Sequence, residues 1–579
     1  MAKNVMKLLK PSPNFGKNGF DLSHRKLIDV RMGELLPCCT IETVPDDDIT
    51  INVSDLLRAM PLITSPFMRV KQHIDFWFVP YNCLWHQFNA FISSRDEPAS
   101  SVLKDSQYCP HVNLRSLKTA VHANAALSVH GSNAQFEDNA WKLLDLLGYP
   151  TYNYVFGDPA DIPTIEDNVD VNLFRLAAYQ YIWYHEYRQK YYDPGTLGGG
   201  INVSTPAIAS MFNFDFCRCD TYAHADILSE AANAFSATTY ASDWSSMGCQ
   251  LRYRCWKKDL WTGLLPSTQL GAVSTVGTMP DNIIITSKLG TTGTLSVNSS
   301  GNLLNNTTFE WKLNDAISPF GKAGSLDILS LRSAQALQIW RENALRAGNQ
   351  IDDNFMAHYG VKPGSHMFEH PHAIGSIDAP LNISDVMATA DTGMGTGNDA
   401  VGDIAGKGIS SMDGSKTLRF KTNDFGVVMG IFSLLPESEY NQSGIDRPNQ
   451  LIERFDFYSK EMENLGLEAV DSRTFSCDPQ PFIPGYAPRY FGYKTILDKA
   501  HHYFMNMGAS HFVQGPYRAW ASPKYDMFSS NTALRLSSLY VNPAIFNVNF
   551  VSNNDQMLLD IYNQVKAVRI MSVTGMPSK

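Results

Sequence analysis

The chain has 579 residues, of which 44% are hydrophobic and 18% are charged, and its 47 basic and 57 acidic residues give a net charge of −10. This amount of apolar material indicates a large core, and a charge fraction below the usual ~25% favours surfaces that partner subunits cover. The acidic balance argues against a protein whose whole surface grips nucleic acid, and no apolar run reaches the about 18 residues that a membrane span needs.

Residues 1–26 are predicted to form a basic N-terminal arm, because Pro and Gly interrupt the segment and a single acid, Asp21, stands against six cations. These cations are candidate contacts for DNA phosphates: Lys3, Lys7, Lys10, Lys17, Arg25 and Lys26. The alternative is an arm that lies inside an assembly without touching DNA. The segment lacks the apolar stretch of a signal peptide, so we expect the protein to stay in the compartment where it is made.

Residues 68–80 alternate between apolar and polar side chains, which predicts a half-buried strand. Three helices are predicted after it, over 140–147, over 173–184 with Asp170 as N-cap, and over 330–347. The second helix carries aromatic side chains on nearly every side, which indicates burial on several sides.

Long polar stretches separate these elements. Residues 267–325 contain short alternating pieces at 282–286 and 294–297 and are predicted to form exposed hairpins. The wider region 195–325 is predicted to be an insertion that forms a surface protrusion, apart from Lys258–Pro266, which is expected to return to the shell. The Gly-rich residues 391–416 are predicted to be a flexible loop.

Strands return in the last third of the chain. Residues 425–435 form a nearly unbroken apolar run closed by Pro436, which is typical of a strand covered on both faces. Residues 544–550 alternate again after Pro543 and predict another strand. The pattern alone therefore indicates a mainly β protein with helical insertions.

Several residue clusters have the chemistry of functional sites but not the spacing. The histidines 358, 366, 370 and 372 lie in a segment with Gly and Pro that gives no helical face for a metal. The nine cysteines have irregular spacing, including the closest group, 217, 219, 249 and 255, so we expect reduced thiols and no zinc.

The remaining candidates are equally weak. Residues 402–408 resemble a phosphate loop but lack its spacing and the Ser or Thr after Lys407. The triplet Asp46, Asp47 and Asp48 is read as a solvated turn, with a calcium site shared with a neighbouring chain as the open alternative. We therefore predict no catalytic residue, no metal and no cofactor, and a chain that is not an enzyme.

One set of motifs resembles a known family. The motifs run in order as FDLSH at 20–24, GELLP at 33–37, DFWFVP at 75–80, KDLWTGLLP at 258–266, YNQSG at 440–444, LGLE at 465–468 and FGY at 491–493. Together they resemble the major capsid protein of the Microviridae, small bacteriophages with single-stranded DNA, and the gokushovirus-like branch fits best. The chain departs from the family at Leu260 and Trp261, where Tyr and Phe are usual, and at Gly263, where Ser is usual.

This resemblance implies a viral jelly-roll β-sandwich with long helical and loop insertions, in which residues 1–579 form one discontinuous domain. It implies a major capsid protein that self-assembles into a T = 1 icosahedral shell of about 60 copies around circular single-stranded DNA. The implied partners are that DNA, a small basic packaging protein and a host cell-surface receptor, with no membrane insertion. The implied location is the virion, assembled in the bacterial host cytoplasm.

The alternative from another class is a β-sandwich protein that binds carbohydrate or hydrolyses glycosides. Its aromatic side chains would stack on sugar rings, and two carboxylates would stand on either side of the scissile bond. The sequence gives no reason to pair any two carboxylates in this way.

Overall fold

The computed structural model of the chain describes residues 16–59, 69–84, 133–150, 169–188, 251–269, 328–347, 370–387, 404–442, 444–475, 482–502 and 557–573. Short pieces are also described at 88, 92, 109, 111–113, 284–287, 292–294, 311–312, 357, 528–529, 533–534 and 541. The predicted strand 544–550 lies outside these residues. None of the described helices is both long and apolar enough to span a bilayer.

Strands dominate the described part of the chain. In chain order they are β1 Asn18–Asp21, β2 His24–Val30, β3 Leu36–Thr43, β4 Asp47–Ala59, β5 Val70–Pro80, β6 His111–Asn113, β7 Asp170–Asn172, β8 Ile284–Ser287, β9 Thr292–Thr294, β10 Trp311–Lys312, β11 His372–Met387, β12 Ile404–Thr422, β13 Gly426–Pro436, β14 Tyr440–Asn441, β15 Leu467–Val470, β16 Gly485–Pro488, β17 Lys499–Ala500, β18 Phe528–Ser529, β19 Ala533–Leu534 and β20 Met557–Arg569.

The described helices are α1 Tyr81–Leu84, α2 Asn133–Leu147, α3 Phe174–Ile182, α4 Ile328–Ala347 and α5 Phe491–Lys494, and a π-helical turn over Trp183–Tyr187 continues α3. Short 3-10 turns span Arg447–Gln450, Lys460–Met462 and Ser472–Thr474. The three predicted helices are thus confirmed as α2, α3 and α4. The N-cap prediction is wrong, because α3 has Leu173 as its N-cap and Asp170 pairs with Asn113 between β6 and β7.

Nine antiparallel strands form one curled sheet in the order β1-β20-β4-β12-β11-β5-β13-β3, with β2 also paired to β20. Strand β11 changes partners along its length. Its first part, from His372 to Leu381, pairs with β5, and its second part, from Asn382 to Met387, pairs with β12. A strand that switches sheets in this way forms the corner of a sandwich.

The corner divides the eight principal strands into two four-stranded sheets, β2-β20-β4-β12 and β11-β5-β13-β3. The sheets face each other across a shared core, where the rings of Phe78 and Phe420 lie with centroids 4.9 Å apart. Two buried hydrogen bonds cross the same gap, from Gln72 Nε2 to Asp55 at 3.3 Å and from Asn563 Nδ2 to the carbonyl of Cys38 at 3.1 Å. The predicted mainly β fold with a jelly-roll sandwich is therefore confirmed.

The alternation of buried and exposed side chains along the strands follows from the packing of the two sheets. Along β4 and β20 every second side chain is buried, as expected for strands that cover a core with one face. Strand β13 is buried along its whole length, which confirms the strand predicted over 425–435 with both faces covered. The second face of this sheet is covered by α3 with its π-helical turn and by residues 251–256. From these segments the Tyr187 hydroxyl and the Arg254 guanidinium donate to Oδ2 of Asp75 in β5, at 2.7 and 3.1 Å.

Long segments lie between consecutive strands of the sandwich. Residues 81–371 separate β5 from β11, and residues 437–556 separate β13 from β20. Contacts divide the chain into two compact units, Met1–Pro266 with Glu369–Lys579 and, separately, Ser267–Phe368. The second unit contains helix α4 and the small sheet β10-β8-β9. Strands β8 and β9 confirm the predicted pieces at residues 284–286 and at Thr294, and the rest of those pieces lies outside the described residues.

Two boundaries predicted from the sequence need correction. Residues 18–26 are not part of an arm, because β1 and β2 pair with β20 and Ile28 and Val30 enter the core. The Gly-rich segment 391–416 is a strand from Ile404 onwards, where β4 and β11 supply backbone partners that override weak local propensity.

The core between β5, β13 and β3 gives the first testable prediction. A Cβ on Gly430 would lie 2.7 Å from Phe76 and 3.1 Å from Cys39, whereas nothing lies within 4 Å of one on Gly19. We expect Gly430→Ala to lower the free energy of unfolding by about 1–3 kcal/mol, measured by urea denaturation, and Gly19→Ala in β1 to cost less than about 1 kcal/mol. Equal effects of the two substitutions would contradict the tight packing described for this core.

Candidate subunit interface

A second, smaller core is built from segments that lie far apart in the sequence. Trp261 is at its centre, with ring centroids 4.0 Å from Phe475 and 6.2 Å from Phe491. Its buried members are Trp261, Leu264, Tyr440, Val470, Phe475, Ala487 and Phe491. Three of the motifs that carry the family resemblance, at 258–266, 440–444 and 491–493, therefore meet in one place.

The carboxylate of Asp259 joins two of these segments. Its Oδ1 accepts the backbone N–H groups of Trp261 at 2.8 Å and Thr262 at 2.9 Å, which fixes the turn that carries the tryptophan. Its Oδ2 accepts the hydroxyls of Ser438 at 3.1 Å and Tyr440 at 2.6 Å. Burial, and then the nearby Asp259 charge, raise the pKa of Tyr440 well above its ordinary value, so the phenol stays neutral and its hydroxyl donates a hydrogen bond to the carboxylate.

The motif at 440–444 is held by a second set of polar contacts. Lys499 Nζ donates to Gln442 Oε1 at 2.7 Å and forms an ion pair with Asp446, and this ammonium holds the pKa of the Asp446 carboxyl below its usual range. A side chain at Gly444 is excluded because its Cβ would collide with the backbone of Thr474. The glycine of this motif is thus required by close packing.

The motifs at 465–468 and 491–493 meet around Arg447. A Cβ on Gly492 would lie 2.9 Å from Cγ of Arg447, so only glycine leaves room for that side chain. The guanidinium Nε of Arg447 lies 4.0 Å from the carboxylate of Glu468, which is largely buried. The motif residues therefore act as packing and charge partners that shape this part of the protein.

The outside of the second core is unusually apolar. Among the described residues, 22 large apolar side chains are exposed, and nine of them fall between residues 445 and 496. We call these nine the aromatic surface: Ile445, Ile452, Phe455, Phe457, Tyr458, Leu465, Ile483, Tyr493 and Ile496. Monomeric proteins rarely concentrate exposed apolar groups in this way, and aromatic residues are favoured in interface cores, so the arrangement is typical of a protein-binding surface.

A cleft of about 520 Å³ lies beside the paired strands β14 and β17, which contribute Tyr440 and Lys499 to its lining. Its lining is apolar towards Trp261, Phe475 and Phe491 and polar towards Gln442 and Lys499. The cleft also bears on the glycoside-hydrolase alternative, because a general acid needs a raised pKa whereas that of Asp446 is lowered. The cleft is therefore better suited to binding than to acid catalysis by Asp446.

The described cations of the predicted DNA-contact set all have partners within the protein. Lys17 Nζ lies 2.7 Å from Asp46, Arg25 forms a two-pronged ion pair with Asp560, and half-buried Lys26 donates to the carbonyl of Leu146 at 3.2 Å. Burial lowers the pKa of Lys26. The other three members, Lys3, Lys7 and Lys10, lie outside the described residues.

The aspartate triplet has basic partners instead of the open oxygens that calcium needs. Asp46 pairs with Lys17, Asp48 with Arg419, and Asp47 lies 3.1 Å from Arg569. These cations compete with any calcium ion for the same carboxylates. The prediction of a solvated turn is wrong for Asp47, which is buried at the start of β4. Two of these pairs could not be read from local patterns, because Arg419 and Arg569 lie hundreds of residues from the triplet.

The other candidate clusters fall partly outside the described residues, as do His358, His366 and the cysteines 217, 219 and 249. Within the described part, His372 belongs to β11 and stacks on Phe78, and no group of three His, Cys, Asp or Glu side chains has metal-binding geometry. Burial raises the pKa of the Cys38 thiol to about 12, which makes it unreactive.

The hydrogen bond between Tyr440 and Asp259 gives the second testable prediction. We expect Tyr440→Phe to lower the free energy of unfolding by about 1.5–3 kcal/mol, because it leaves the half-buried carboxylate of Asp259 short of one donor. The matched control, Tyr458→Phe, removes an exposed hydroxyl bound to Glu463 and should cost less than about 0.5 kcal/mol. Urea unfolding followed by tryptophan fluorescence measures both.

The pH dependence provides a check on the same bond. The pKa of Tyr440 in the folded protein lies above its ordinary value of 10.0. The contribution of the neutral Tyr440 hydroxyl to the free energy of unfolding is therefore complete below pH 10 and is lost as the pH rises beyond 10. The difference in the free energy of unfolding between the unmodified protein and Tyr440→Phe should therefore shrink above about pH 10. A constant difference would contradict the bond.

Comparison with known proteins identifies the family. The family model described as "Capsid protein (F protein)" matches residues 11–183 and 148–578. The "Capsid protein VP1" of Chlamydia phage 1 is 23% identical over 626 aligned residues, covering 98% of this chain and 96% of the relative. The "Capsid protein VP1" of Bdellovibrio phage phiMH2K is 22% identical over 497 residues, covering 84% and 81%. The resemblance to Microviridae major capsid proteins is thereby confirmed, and the chain belongs to the capsid protein (F protein) family.

Proposed function

We propose that copies of this chain assemble into a T = 1 icosahedral shell of about 60 subunits, which encloses the circular single-stranded DNA of a small bacteriophage. The observation that carries the proposal is the aromatic surface, nine exposed apolar side chains within residues 445–496, the stretch that also supplies four members of the second core. A capsid subunit needs such a surface because assembly must bury apolar area to offset the entropy lost on association.

Assembly in this proposal is driven by the few residues that become fully desolvated. Tyr and other large side chains at the centre of an interface carry most of its free energy, and surrounding contacts mainly exclude water. The contacts of Asp259 and Lys499 hold the second core in one geometry before association, which reduces the ordering cost. Icosahedral symmetry then repeats each kind of contact at every axis of the same order.

The genome requires positive charge that this chain, at net −10, does not supply overall. We propose that a small basic packaging protein neutralises much of the DNA. The N-terminal segment contributes local cations, above all Lys3, Lys7 and Lys10, because Lys17, Arg25 and Lys26 already have intramolecular partners. Each phosphate contact from the segment would add to the salt dependence of DNA binding.

The region 195–325, apart from residues 251–266 that pack in the two cores, is proposed to form a protrusion on the outside of the shell that meets a host cell-surface receptor. The compact unit Ser267–Phe368 supports this, because a separate unit inserted between two strands of the sandwich leaves the register of those strands unchanged. The protein would assemble in the bacterial cytoplasm and reside in the virion, with a structural role and no catalytic one.

Assembly itself gives the third testable prediction. The purified chain should form particles of roughly 3.9 MDa, the mass of about 60 subunits of 64.5 kDa, in analytical ultracentrifugation. Leu465→Glu places a charge on the aromatic surface and should abolish the particles, while Val573→Glu, at an equally exposed position outside that surface, should not. DNA in particles from infected cells should resist nuclease until the shell is opened.

The proposal would be wrong if the chain remained a small oligomer under conditions where it is folded. It would be wrong in its choice of surface if Leu465→Glu subunits, folded by circular dichroism, still formed particles.

A further inference from the structure

The outer face of the sheet β2-β20-β4-β12 carries an apolar patch. Five large apolar side chains that point away from the core are exposed there, and we call them the outer patch: Leu27, Leu56, Ile409, Leu558 and Tyr562. In the strand register Leu27 and Leu56 flank Asp560, and the other three members lie two residues to either side of that row. A contiguous apolar patch of this kind is typical of a surface that another segment or molecule covers.

Residues 2–10, which precede the described part of the chain, have the sequence pattern of a short amphipathic helix. Apolar residues recur at helical spacing on one side, and basic residues recur at helical spacing on the opposite side: Ala2, Val5, Met6 and Leu9 against Lys3, Lys7 and Lys10. The alternation of a strand would mix the two sets on each face. Pro11 ends the pattern. A helix this short is marginal in water, so its apolar side needs a surface on which to pack.

The strand register gives the distance from the root of this segment to the outer patch. Asn18 pairs with Arg569 in β20. The patch members Tyr562 and Leu558 lie seven and eleven residues from Arg569 along the same strand, which is roughly 23 and 36 Å at ~3.3 Å per residue. Residues 11–17 span at most about 25 Å when extended, and a helix of about nine residues adds about 13 Å. The segment is therefore long enough to cover the outer patch.

The root of the segment favours the patch of the same subunit over that of a neighbour. Lys17 Nζ lies 2.7 Å from Asp46 and donates to its carbonyl at 3.0 Å, which fixes the point where the segment leaves the sheet. Pro11, Pro13 and Gly16 are residues at which the chain can turn back over the face. A tether this short gives an effective concentration in the millimolar range, which a separate molecule seldom reaches.

We propose that residues 2–10 form an amphipathic helix that packs its apolar side on the outer patch of the same subunit. Docking in this way turns Lys3, Lys7 and Lys10 away from the sheet, because they lie on the opposite side of the helix. The lysines then stand on a fixed support from which they meet DNA phosphates. Only this last step rests on the function proposed above, and the docking of the helix does not depend on it.

Disulfide cross-linking in the full-length chain tests the contact. One double variant carries Leu9→Cys with Tyr562→Cys, and the matched control carries Lys7→Cys with Tyr562→Cys. Both are oxidised under the same conditions, and the peptide that links the two positions is quantified by mass spectrometry. The Leu9→Cys variant should give about ten times the yield of the control, because the two thiols are equally tethered but only position 9 faces the patch.

Equal yields from the two variants would show a tether without a docked helix and would overturn the proposal. Covalent dimers on non-reducing gels, in place of a link within one chain, would assign the patch to the segment of another copy and would overturn it as well.

A triple variant separates the docking from the DNA contact. Replacing Lys3, Lys7 and Lys10 by Gln should lower the salt dependence of DNA binding and leave the cross-link between positions 9 and 562 unchanged. Unchanged DNA binding would overturn the role of the lysines alone, while loss of the cross-link would overturn docking through the apolar side.

A second measurement uses no new thiols. Tyr562→Asp places a charge in the outer patch and should speed tryptic cleavage after Lys7 about tenfold, because an undocked helix exposes its backbone to protease. Tyr562→Phe keeps the apolar ring and should leave the rate unchanged. Because Tyr562 is 44% exposed, both variants should unfold at nearly the same urea concentration as the unmodified protein. Equal cleavage of Tyr562→Asp and the unmodified chain would overturn the proposal.

Discussion

The burial of apolar side chains between two facing sheets is the constraint on which the rest of this protein depends. Strand β11 belongs to both sheets and sets the corner between them. The buried bonds from Gln72 to Asp55 and from Asn563 to Cys38 then allow only one lateral position of the sheets, because a slip would leave these polar groups buried without partners.

This constraint explains why the chain can carry such long insertions. A one-residue change inside a strand would turn its apolar face to water, whereas lengthening a connection costs only a small additional closure entropy. The insertions after β5 and β13 therefore leave the sandwich intact. Both insertions contribute to the second core, which Asp259 from the first and Lys499 from the second hold in place. The second insertion carries the exposed side chains of the aromatic surface.

Much of the sandwich was predictable from local patterns, while the site was predictable only in part. The alternation at 68–80 and the apolar run at 425–435 predicted strands that the structure confirms as β5 and β13. Strand β12 was missed because its Gly-rich start has little propensity of its own and takes its form from β4 and β11.

The motifs of the candidate interface were visible in the sequence, but their meeting point was not. Nothing local indicates that Asp259 binds Tyr440 across 181 residues, or that Gly492 makes room for Arg447. The exposure of Phe455 was equally hidden, because an aromatic residue in a sequence is more often buried than projected into solvent.

The central claim is that the aromatic surface joins subunits. An electron cryomicroscopy map of the assembled particle tests it most directly. The account predicts that Ile452, Phe455 and Ile496 lie at a boundary between subunits, with density of a neighbouring copy packed against each of them. A map in which these side chains face solvent on the inner or outer surface of the shell would contradict it.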